Sequence, residues 1–233
     1  SRFVGNRLYL VTFKTMDPLF VIDLSNEKHP KILGELKIPG YSSYLHPYDD
    51  DHIIGIGIEA EEITYKDSFG RITSTTYRPI GLKMAMFDVS DVENPKEISK
   101  AVIGDSDTTS QILTNHKALL FSKEKELLAI PVTDYEYGYA YEIDEHAGMD
   151  EYVNVFANCT KGTTRGLAVY NVNLDGIKLK GNIYHDASKT NYWRYDTSVR
   201  GLYIGEDLFT ISDKQVKVNK LDTLRQVSTL DLN

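Results

Sequence analysis

The chain has 233 residues, of which 41% are hydrophobic and 26% charged, and its formal net charge is -8. These values are typical of a globular protein that can bury a core without disulfides or metals. The acidic balance excludes a general nucleic-acid binder, which needs a basic face, and it disfavours docking on an anionic membrane surface. The single cysteine, Cys159, excludes an internal disulfide framework and a zinc site built from several cysteines.

Strand-forming segments recur along the chain. Residues 19–25, 82–90 and 166–173 are each rich in aliphatic, β-branched and aromatic residues, which favour strands. In the first two segments Asp, an aliphatic residue and Ser are followed, after four more residues, by Pro-Lys. This pattern predicts a strand, a polar turn and a return strand, because proline fixes φ before the second strand begins.

Extending the pattern in both directions predicts four units of up to four strands, labelled a to d. Unit one has strands b, c and d at 7–13, 19–24 and 31–38 and lacks strand a. Unit two has strands a to d at 43–47, 52–58, 82–89 and 96–103. Unit three has them at 117–121, 126–132, 166–172 and 177–184. Unit four has them at 200–204, 207–211, 215–220 and 225–230.

Tandem units of four antiparallel strands predict an all-β fold of the β-propeller type, in which each sheet packs on its neighbours. We expect one domain over residues 1–233, with blades at about 1–40, 41–104, 105–185 and 186–233. Two inserts between strands b and c, at 59–81 and 134–165, lengthen the middle units beyond the usual propeller period. A β-sandwich with similar hairpins is the alternative. About four blades indicate part of a larger propeller or an incompletely closed one.

The chain also resembles a known family along nearly its whole length. The resemblance is carried by residues 2–13, 17–25 and 30–48, and also by 115–118 and 202–205. It resembles the secreted proteins of bacteria and archaea that have a C-terminal β-propeller domain, distantly similar to WD40 repeats. The resemblance implies a propeller fold and a secreted or cell-surface location. It implies little about chemistry, because the function of that family is poorly defined.

The topology predicts where a binding site would form. In an antiparallel unit the b–c and d–a connections emerge on one face, so both inserts lie beside the connections at 39–42, 104–116 and 185–199. Functional loops often gather on one face of a rigid scaffold, and this face is therefore the predicted binding face.

The second insert contains the most unusual segment. Four tyrosines with a period of two predict a strand with aromatic side chains on one face, paired with residues 151–156; they are Tyr135, Tyr137, Tyr139 and Tyr141. Flanking acidic residues would suit a cationic peptide, a sugar or a cation. Trp193, in a d–a connection, is a candidate aromatic anchor. The alternative for all five aromatic residues is packing against a neighbouring blade.

Calcium is the metal that the acidic loops would suit, because it prefers carboxylate oxygens. The candidate ligands are Asp105, Asp107, Asp144 and Glu145. We interpret the acidic run at 49–51 as a plain turn on the opposite face. The first insert is expected to be a hairpin with its turn at 67–70, flanked by strands at 62–66 and 71–77. At the foot of this hairpin, Glu59, Glu61 and Glu62 are expected to form an acidic loop that is exposed to solvent.

No catalytic motif was found, so a non-enzymatic binding or scaffold propeller outside the cytoplasm is favoured. Its ligand would be a protein, peptide or carbohydrate, and no direct membrane insertion is expected. The alternative is a propeller hydrolase or lyase in which His46, His116, Asp105 and Asp144 converge, with or without calcium. A third hypothesis is that open strand edges at 7–13 and 225–230 pair with further blades or a second chain.

Overall fold

The computed structural model describes residues 1–12, 16–136, 162–188 and 199–232. These residues form sixteen β-strands, arranged as four separate antiparallel sheets of four strands each, and two short 3-10 turns. Within each sheet the strands follow one another in chain order, as they do in the blades of a propeller. Among the described residues, no helix is both long and apolar enough to cross a membrane.

The first two sheets are blades 1 and 2. Blade 1 consists of β1 (Arg2–Val4), β2 (Arg7–Val11), β3 (Met16–Asp23) and β4 (Lys31–Pro39). Blade 2 consists of β5 (Tyr41–Pro47), β6 (His52–Lys66), β7 (Ile72–Asp88) and β8 (Lys96–Ile103).

The other two sheets are blades 3 and 4. Two 3-10 turns, Gln111–Leu113 and His116–Ala118, lead into blade 3. Blade 3 consists of β9 (Leu120–Ser122), β10 (Leu127–Glu136), β11 (Gly162–Asn173) and β12 (Gly176–Ser188). Blade 4 consists of β13 (Arg200–Ile204), β14 (Asp207–Ile211), β15 (Gln215–Lys220) and β16 (Gln226–Asp231).

The predicted all-β propeller architecture is confirmed, but two details of unit one were wrong. Blade 1 has an innermost strand, β1, which the sequence did not reveal because the strand has only three residues before the tight turn at Gly5, where φ is +55°. The predicted strand 7–13 is also not an open edge, because β2 lies between β1 and β3. Of the two predicted edges, only the one near 225–230 lies on an edge strand, β16.

The described blades stack in chain order through three apolar clusters. One cluster joins blades 1 and 2 through residues such as Tyr9 and Ile53, and the next joins blades 2 and 3 through Ile54 and Leu128. A third joins blades 3 and 4 through Ala129 and Leu208. We call the side of a blade that is turned towards the preceding blade its front face, and the opposite side its back face.

The strand registers show which positions are equivalent from blade to blade. Leu8, Ile53, Leu128 and Leu208 occupy the same front-face position in strand b of blades 1 to 4. The last three are 0% exposed, whereas Leu8 is only partly buried. Among the described residues, no apolar cluster joins blade 4 back to blade 1, so the ring is not closed.

We predict that this difference in burial appears in the energetics of a matched pair of substitutions. Leu128→Ala should cost about 3 kcal/mol of the free energy of unfolding, because it leaves a cavity between two blades. Leu8→Ala, at the equivalent position of blade 1, should cost only about 1 kcal/mol, because no blade among the described residues packs on its face. Urea denaturation of both variants measures the two losses, and equal losses would contradict the open front face.

Candidate functional site

Connections between the strands divide the propeller into two sides. The b–c hairpins β6–β7 and β10–β11 emerge on one side together with the d–a connections, and we call this side the loop face. The a–b and c–d turns emerge on the other side, the turn face. The d–a connection predicted at 39–42 is much shorter than expected: Gly40 alone links β4 to β5. Its φ is +74°, and an added Cβ would lie 2.1 Å from the Ile58 carbonyl oxygen.

The first insert is a hairpin in which β6 and β7 run on without a break, and its predicted turn at 67–70 is confirmed. The Asp67 carboxylate accepts hydrogen bonds from the backbone N–H groups of Phe69 (2.8 Å) and Arg71 (2.9 Å). Arg71 Nε donates to the same carboxylate at 2.8 Å. The backbone hydrogen bond from Arg71 lowers the pKa of Asp67, desolvation opposes the shift, and the bonds from the Arg71 side chain and the Phe69 backbone add to the lowering. The turn is therefore held in one conformation.

The tip of this hairpin exposes large apolar side chains. Phe69 is 81% exposed, Ile72 65% and Tyr65 53%. The guanidinium of Arg71 lies over the Phe69 ring, 5.3 Å from its centroid. Residues 72–76 of β7 are all exposed, so this part of the hairpin extends beyond the packed body of the blade. Exposed apolar groups gathered on a projecting element often mark an interaction site.

The base of the same hairpin differs from the expected solvated acidic loop. Glu59 is 3% exposed and Lys83, on the neighbouring strand β7, is 0% exposed. Glu59 Oε2 lies 2.8 Å from Lys100 Nζ and 3.9 Å from Lys83 Nζ. Lys83 Nζ also donates a hydrogen bond of 2.5 Å to the Pro39 carbonyl of blade 1. Desolvation lowers the pKa of Lys83, although the charges of Glu59 and Glu97 oppose the shift.

This buried ion pair has a structural role at the junction of blades 1 and 2. Lys83 joins the end of β4 in blade 1 to the sheet of blade 2, and Glu59 balances its charge where water is excluded. The sequence carried a signal for it, since Lys83 is the one charged residue in the apolar run 82–87. Such a lysine is kept in a core only when it is paired.

We predict that Glu59→Gln lowers the free energy of unfolding by about 3 kcal/mol, because it leaves the buried Lys83 charge without its carboxylate. Glu61→Gln is the matched control two residues along the same strand. Its side chain is 41% exposed and pairs with the exposed Arg78, so the loss should stay below about 0.5 kcal/mol. Urea denaturation at neutral pH compares the two, and equal effects would contradict the structural role of the buried pair.

The second insert is described only at its base. β10 pairs with β11 as far as Glu136 and Gly162, and β12 stays paired with β11 as far as Thr163. Tyr135 lies opposite Thr163 and not opposite the predicted partner strand 151–156. The structure describes the backbone of Tyr135 and not its side chain. Tyr137, Tyr139, Tyr141, the strand predicted at 151–156 and Trp193 also lie outside the described residues, so their role in ligand binding stays a prediction.

Two of the four predicted calcium ligands are described. The Asp105 carboxylate accepts a hydrogen bond from the backbone N–H of Asp107 at 2.9 Å. Thr108 Oγ1 donates to Asp134 Oδ1 at 2.9 Å, which ties this loop to β10. Within the described ranges, no three His, Cys, Asp or Glu side chains are grouped to hold a metal ion. Asp144 and Glu145 lie outside those ranges, and the calcium site stays a prediction.

The two histidines expected near the inner strands do come together, around Tyr44. Tyr44 Oη and His46 Nδ1 are hydrogen-bonded at 3.0 Å, and the rings of Tyr44 and His116 stack at 6.3 Å. His46 also packs edge-on against Phe121 of blade 3, at 4.6 Å between ring centroids. Burial, assisted by the positive charge of Arg2, lowers the pKa of His46 to about 4. His46 is therefore neutral at pH 7 and packs between two blades.

We predict a loss of stability as the pH falls from 6.5 to 4, caused by His46. The unfolded histidine takes up a proton near its usual pKa of 6.5, whereas the folded one resists it until about 4. The loss should reach about 2 kcal/mol, less than the full shift implies because the ring is not wholly buried. In His46→Gln this part of the pH dependence should vanish while other groups titrate as before. Parallel urea-denaturation profiles for both proteins would contradict the assignment.

The turn face is held by ion pairs between neighbouring blades. Lys123, in the a–b turn of blade 3, lies 2.8 Å from Asp49 of blade 2 and over the Tyr48 ring. Lys125, in the same turn, lies 2.7 Å from Glu206 of blade 4. Burial would raise the pKa of Asp49, but hydrogen bonds from Lys123, His52 and a backbone N–H lower it to about 2. The acidic run at 49–51 is thus the expected turn, with an additional contact between blades.

A cavity of about 200 Å³ lies on the turn face between blades 3 and 4. The Glu126 carboxylate at its wall accepts hydrogen bonds from the side-chain amides of Asn171 (3.2 Å) and Asn173 (3.1 Å). Lys125 and Glu206, which also line it, form the ion pair described above. These polar groups satisfy one another, so the cavity gives no indication of a ligand.

Comparison with known proteins agrees with this architecture. The β-propeller domain family matches residues 1–224. The chain belongs to this β-propeller family. It is similar to an uncharacterized protein of Methanocaldococcus jannaschii, with 38% identity over 145 residues that cover 62% of this chain and 20% of the relative. An uncharacterized protein of Archaeoglobus fulgidus is 28% identical over 99% of this chain and 27% of its own length. The propeller chain therefore spans about a quarter or less of these relatives.

Proposed function

We propose that this propeller is a non-enzymatic binding module that recognises a protein or peptide through its loop face. The observation that carries the proposal is the projecting β6–β7 hairpin, whose tip exposes Phe69, Ile72 and Tyr65 to solvent. A soluble surface seldom displays three large apolar side chains within eight residues of one hairpin. Burial of these side chains against a partner would supply a favourable hydrophobic contribution to binding.

The chemistry of the tip supports a peptide or protein ligand. Aromatic and arginine side chains dominate the residues that contribute most to protein interfaces, and here Arg71 lies over the exposed Phe69 ring. The Asp67 hydrogen bonds hold the turn before a partner arrives, so little conformational entropy is lost on binding. Arg71 also offers guanidinium N–H groups to a partner's carbonyl or carboxylate oxygens.

The described geometry favours binding over the hydrolase or lyase alternative. His46 is bonded to Tyr44 and packed between blades, and the Asp105 carboxylate is bonded within its own loop. In the part of the chain that the structure describes, no hydrogen bond or ion pair joins His46, or His116 in the 3-10 turn before β9, to Asp105. The convergence that a loop-built catalytic site would need is not formed by these three residues.

The proposal extends to the location and to the rest of the loop face. The resemblance to secreted propeller proteins supports a location of this protein outside the cytoplasm, either in secreted form or at the cell surface. The tyrosine segment that begins at Tyr135 near the end of β10, together with the aromatic Trp193, would enlarge the binding surface beside the β6–β7 hairpin. Calcium held by Asp105 and Asp107 with Asp144 and Glu145 would order the neighbouring loops, and a carbohydrate is the alternative ligand.

We predict that Phe69 is central to ligand binding. A random peptide library displayed on phage is selected against the immobilised chain, and the recovered peptides are synthesised. Phe69→Ala should weaken their binding at least 10-fold, because it removes the most exposed aromatic side chain of the tip. Fluorescence polarisation with labelled peptides measures the dissociation constants.

Leu174→Ala is the matched control, because Leu174 is 52% exposed but lies in a c–d turn on the opposite side. It should change the affinity less than twofold. Peptides that bind Phe69→Ala as tightly as the unchanged chain would overturn the proposed site. A glycan array that gives ligands unaffected by Phe69→Ala, with no peptide recovered, would overturn the peptide assignment as well.

A further inference from the structure

The β6–β7 hairpin carries exposed apolar side chains on both of its faces. The strand register pairs Tyr65 with Ser74 and the next residue, Lys66, with Ile72. Paired residues share a face and successive residues of a strand alternate between faces, so Tyr65 and Ile72 lie on opposite faces. Phe69, in the turn between them, is 81% exposed. The apolar groups of the tip therefore face three directions and do not form one flat patch.

The stem of the hairpin is braced on both faces below the tip. On one face, Arg78 forms an ion pair with Glu61, which lies directly opposite it. On the other face, Tyr77 Oη donates a hydrogen bond of 3.0 Å to Glu62. From Glu61 to Lys66, β6 extends about 20 Å, because a strand rises about 3.3 Å per residue. The hairpin is thus a slender arm with a fixed turn and a braced stem.

The charge of this arm differs from that of the whole chain, whose net charge is -8. Lys66 is exposed and forms no ion pair with any residue that the structure describes. Arg71 Nε donates to Asp67, but the Arg71 side chain is 75% exposed, so its terminal N–H groups remain available. A partner that offers carboxylates beside apolar side chains would suit these two cations.

The exposure of the arm does not arise from the ends of the chain. The arm belongs to blade 2, whose two faces are covered by blades 1 and 3. Further blades would stack on the faces of the outer blades, as the described blades do, and this stacking would leave the arm uncovered. In a second copy of the chain, the cavity on the turn face could not receive the arm, because Glu126 and Glu206 beside that cavity are already bonded.

We propose that the β6–β7 hairpin is a docking arm that enters a cleft in a separate, folded protein. Apolar side chains on the two walls of the cleft cover Tyr65 and Ile72, and a deeper apolar pocket takes Phe69. Carboxylates of the cleft pair with Lys66 and Arg71. A flat surface or a short linear peptide would cover one face of the arm and leave the other in water, so less apolar surface would be buried. This inference rests on the proposed function, since it names the kind of partner that the loop face binds.

A photo-crosslinking amino acid, p-benzoyl-L-phenylalanine, tests for the two walls of the cleft. It replaces Tyr65, Phe69 or Ile72, one position at a time, in the chain produced in its host cells. All three positions are at least 53% exposed, so the fold should tolerate the change, and circular dichroism checks it. After irradiation, the products are purified under denaturing conditions and identified by mass spectrometry. Leu174, on the turn face, is the control position.

All three positions of the arm should give a product with the same partner protein, and the control position should not. The crosslinks from Tyr65 and Ile72 should map to separate segments of that protein, because the two walls of a cleft approach opposite faces of the arm.

Charge reversal tests for the carboxylates of the cleft. With the crosslinker at Phe69, Lys66→Glu should lower the yield about 5-fold, because it sets a carboxylate against those of the partner. Lys178→Glu, a matched change at an exposed lysine of β12, should alter the yield less than about twofold.

Several results would overturn the inference. A product from Phe69 and from only one of Tyr65 and Ile72 would show a partner that covers one face, and the proposed binding function would stand without the cleft. A product made of two copies of this chain, or a yield that Lys66→Glu leaves unchanged, would contradict a separate partner with carboxylates. No product from any of the three positions would overturn both the docking arm and the proposed function.

Discussion

The structure depends on one packing rule: the back face of each blade must meet the front face of the next. A single four-stranded sheet has two apolar faces and cannot cover either of them by itself. Positions such as Ile53, Leu128 and Leu208 are therefore buried by a neighbouring blade and not by their own sheet. The blades gain their stability from these interfaces, and the loop face is built on elements that the interfaces hold in place.

This rule explains how much of the fold the sequence could predict. Alternation along β13, β14 and β15 locates those strands at their observed bounds, because one face of each strand packs on the preceding blade. The strand β1 escaped prediction because three residues are too short for a period of two to be recognised. The prediction divided β6 into strands at 52–58 and 62–66 and β7 into strands at 71–77 and 82–89, whereas each runs on without a break. A two-stranded hairpin in solvent carries polar and apolar residues on both faces, so its sequence shows no clear period of two.

The candidate site also contains features that the sequence could predict and features that it could not. The turn at 67–70 was predictable, because Asp and Gly at its ends have local conformational preferences. Lys83 was marked in the sequence as one charge within an apolar run, but the burial of Glu59 beside it was not predictable. The pair forms against Pro39 of the preceding blade, 44 residues before Lys83 along the chain. The exposure of Phe69 was equally hidden, since sequence alone does not separate an aromatic residue at a hairpin tip from one in a core.

The paired lysines of the a–b turn in blade 3 have a mechanical consequence. Lys123 and Lys125 fasten blade 3 to the blade on either side of it, and both fastenings lie on the turn face. The described residues of the loop face carry longer elements that project beyond the sheets, such as the β6–β7 hairpin. Blades 2, 3 and 4 are thus linked to one another by ion pairs on the turn face. Small rotations between them would pivot about the turn face, and the spacing of the projecting hairpins would change most.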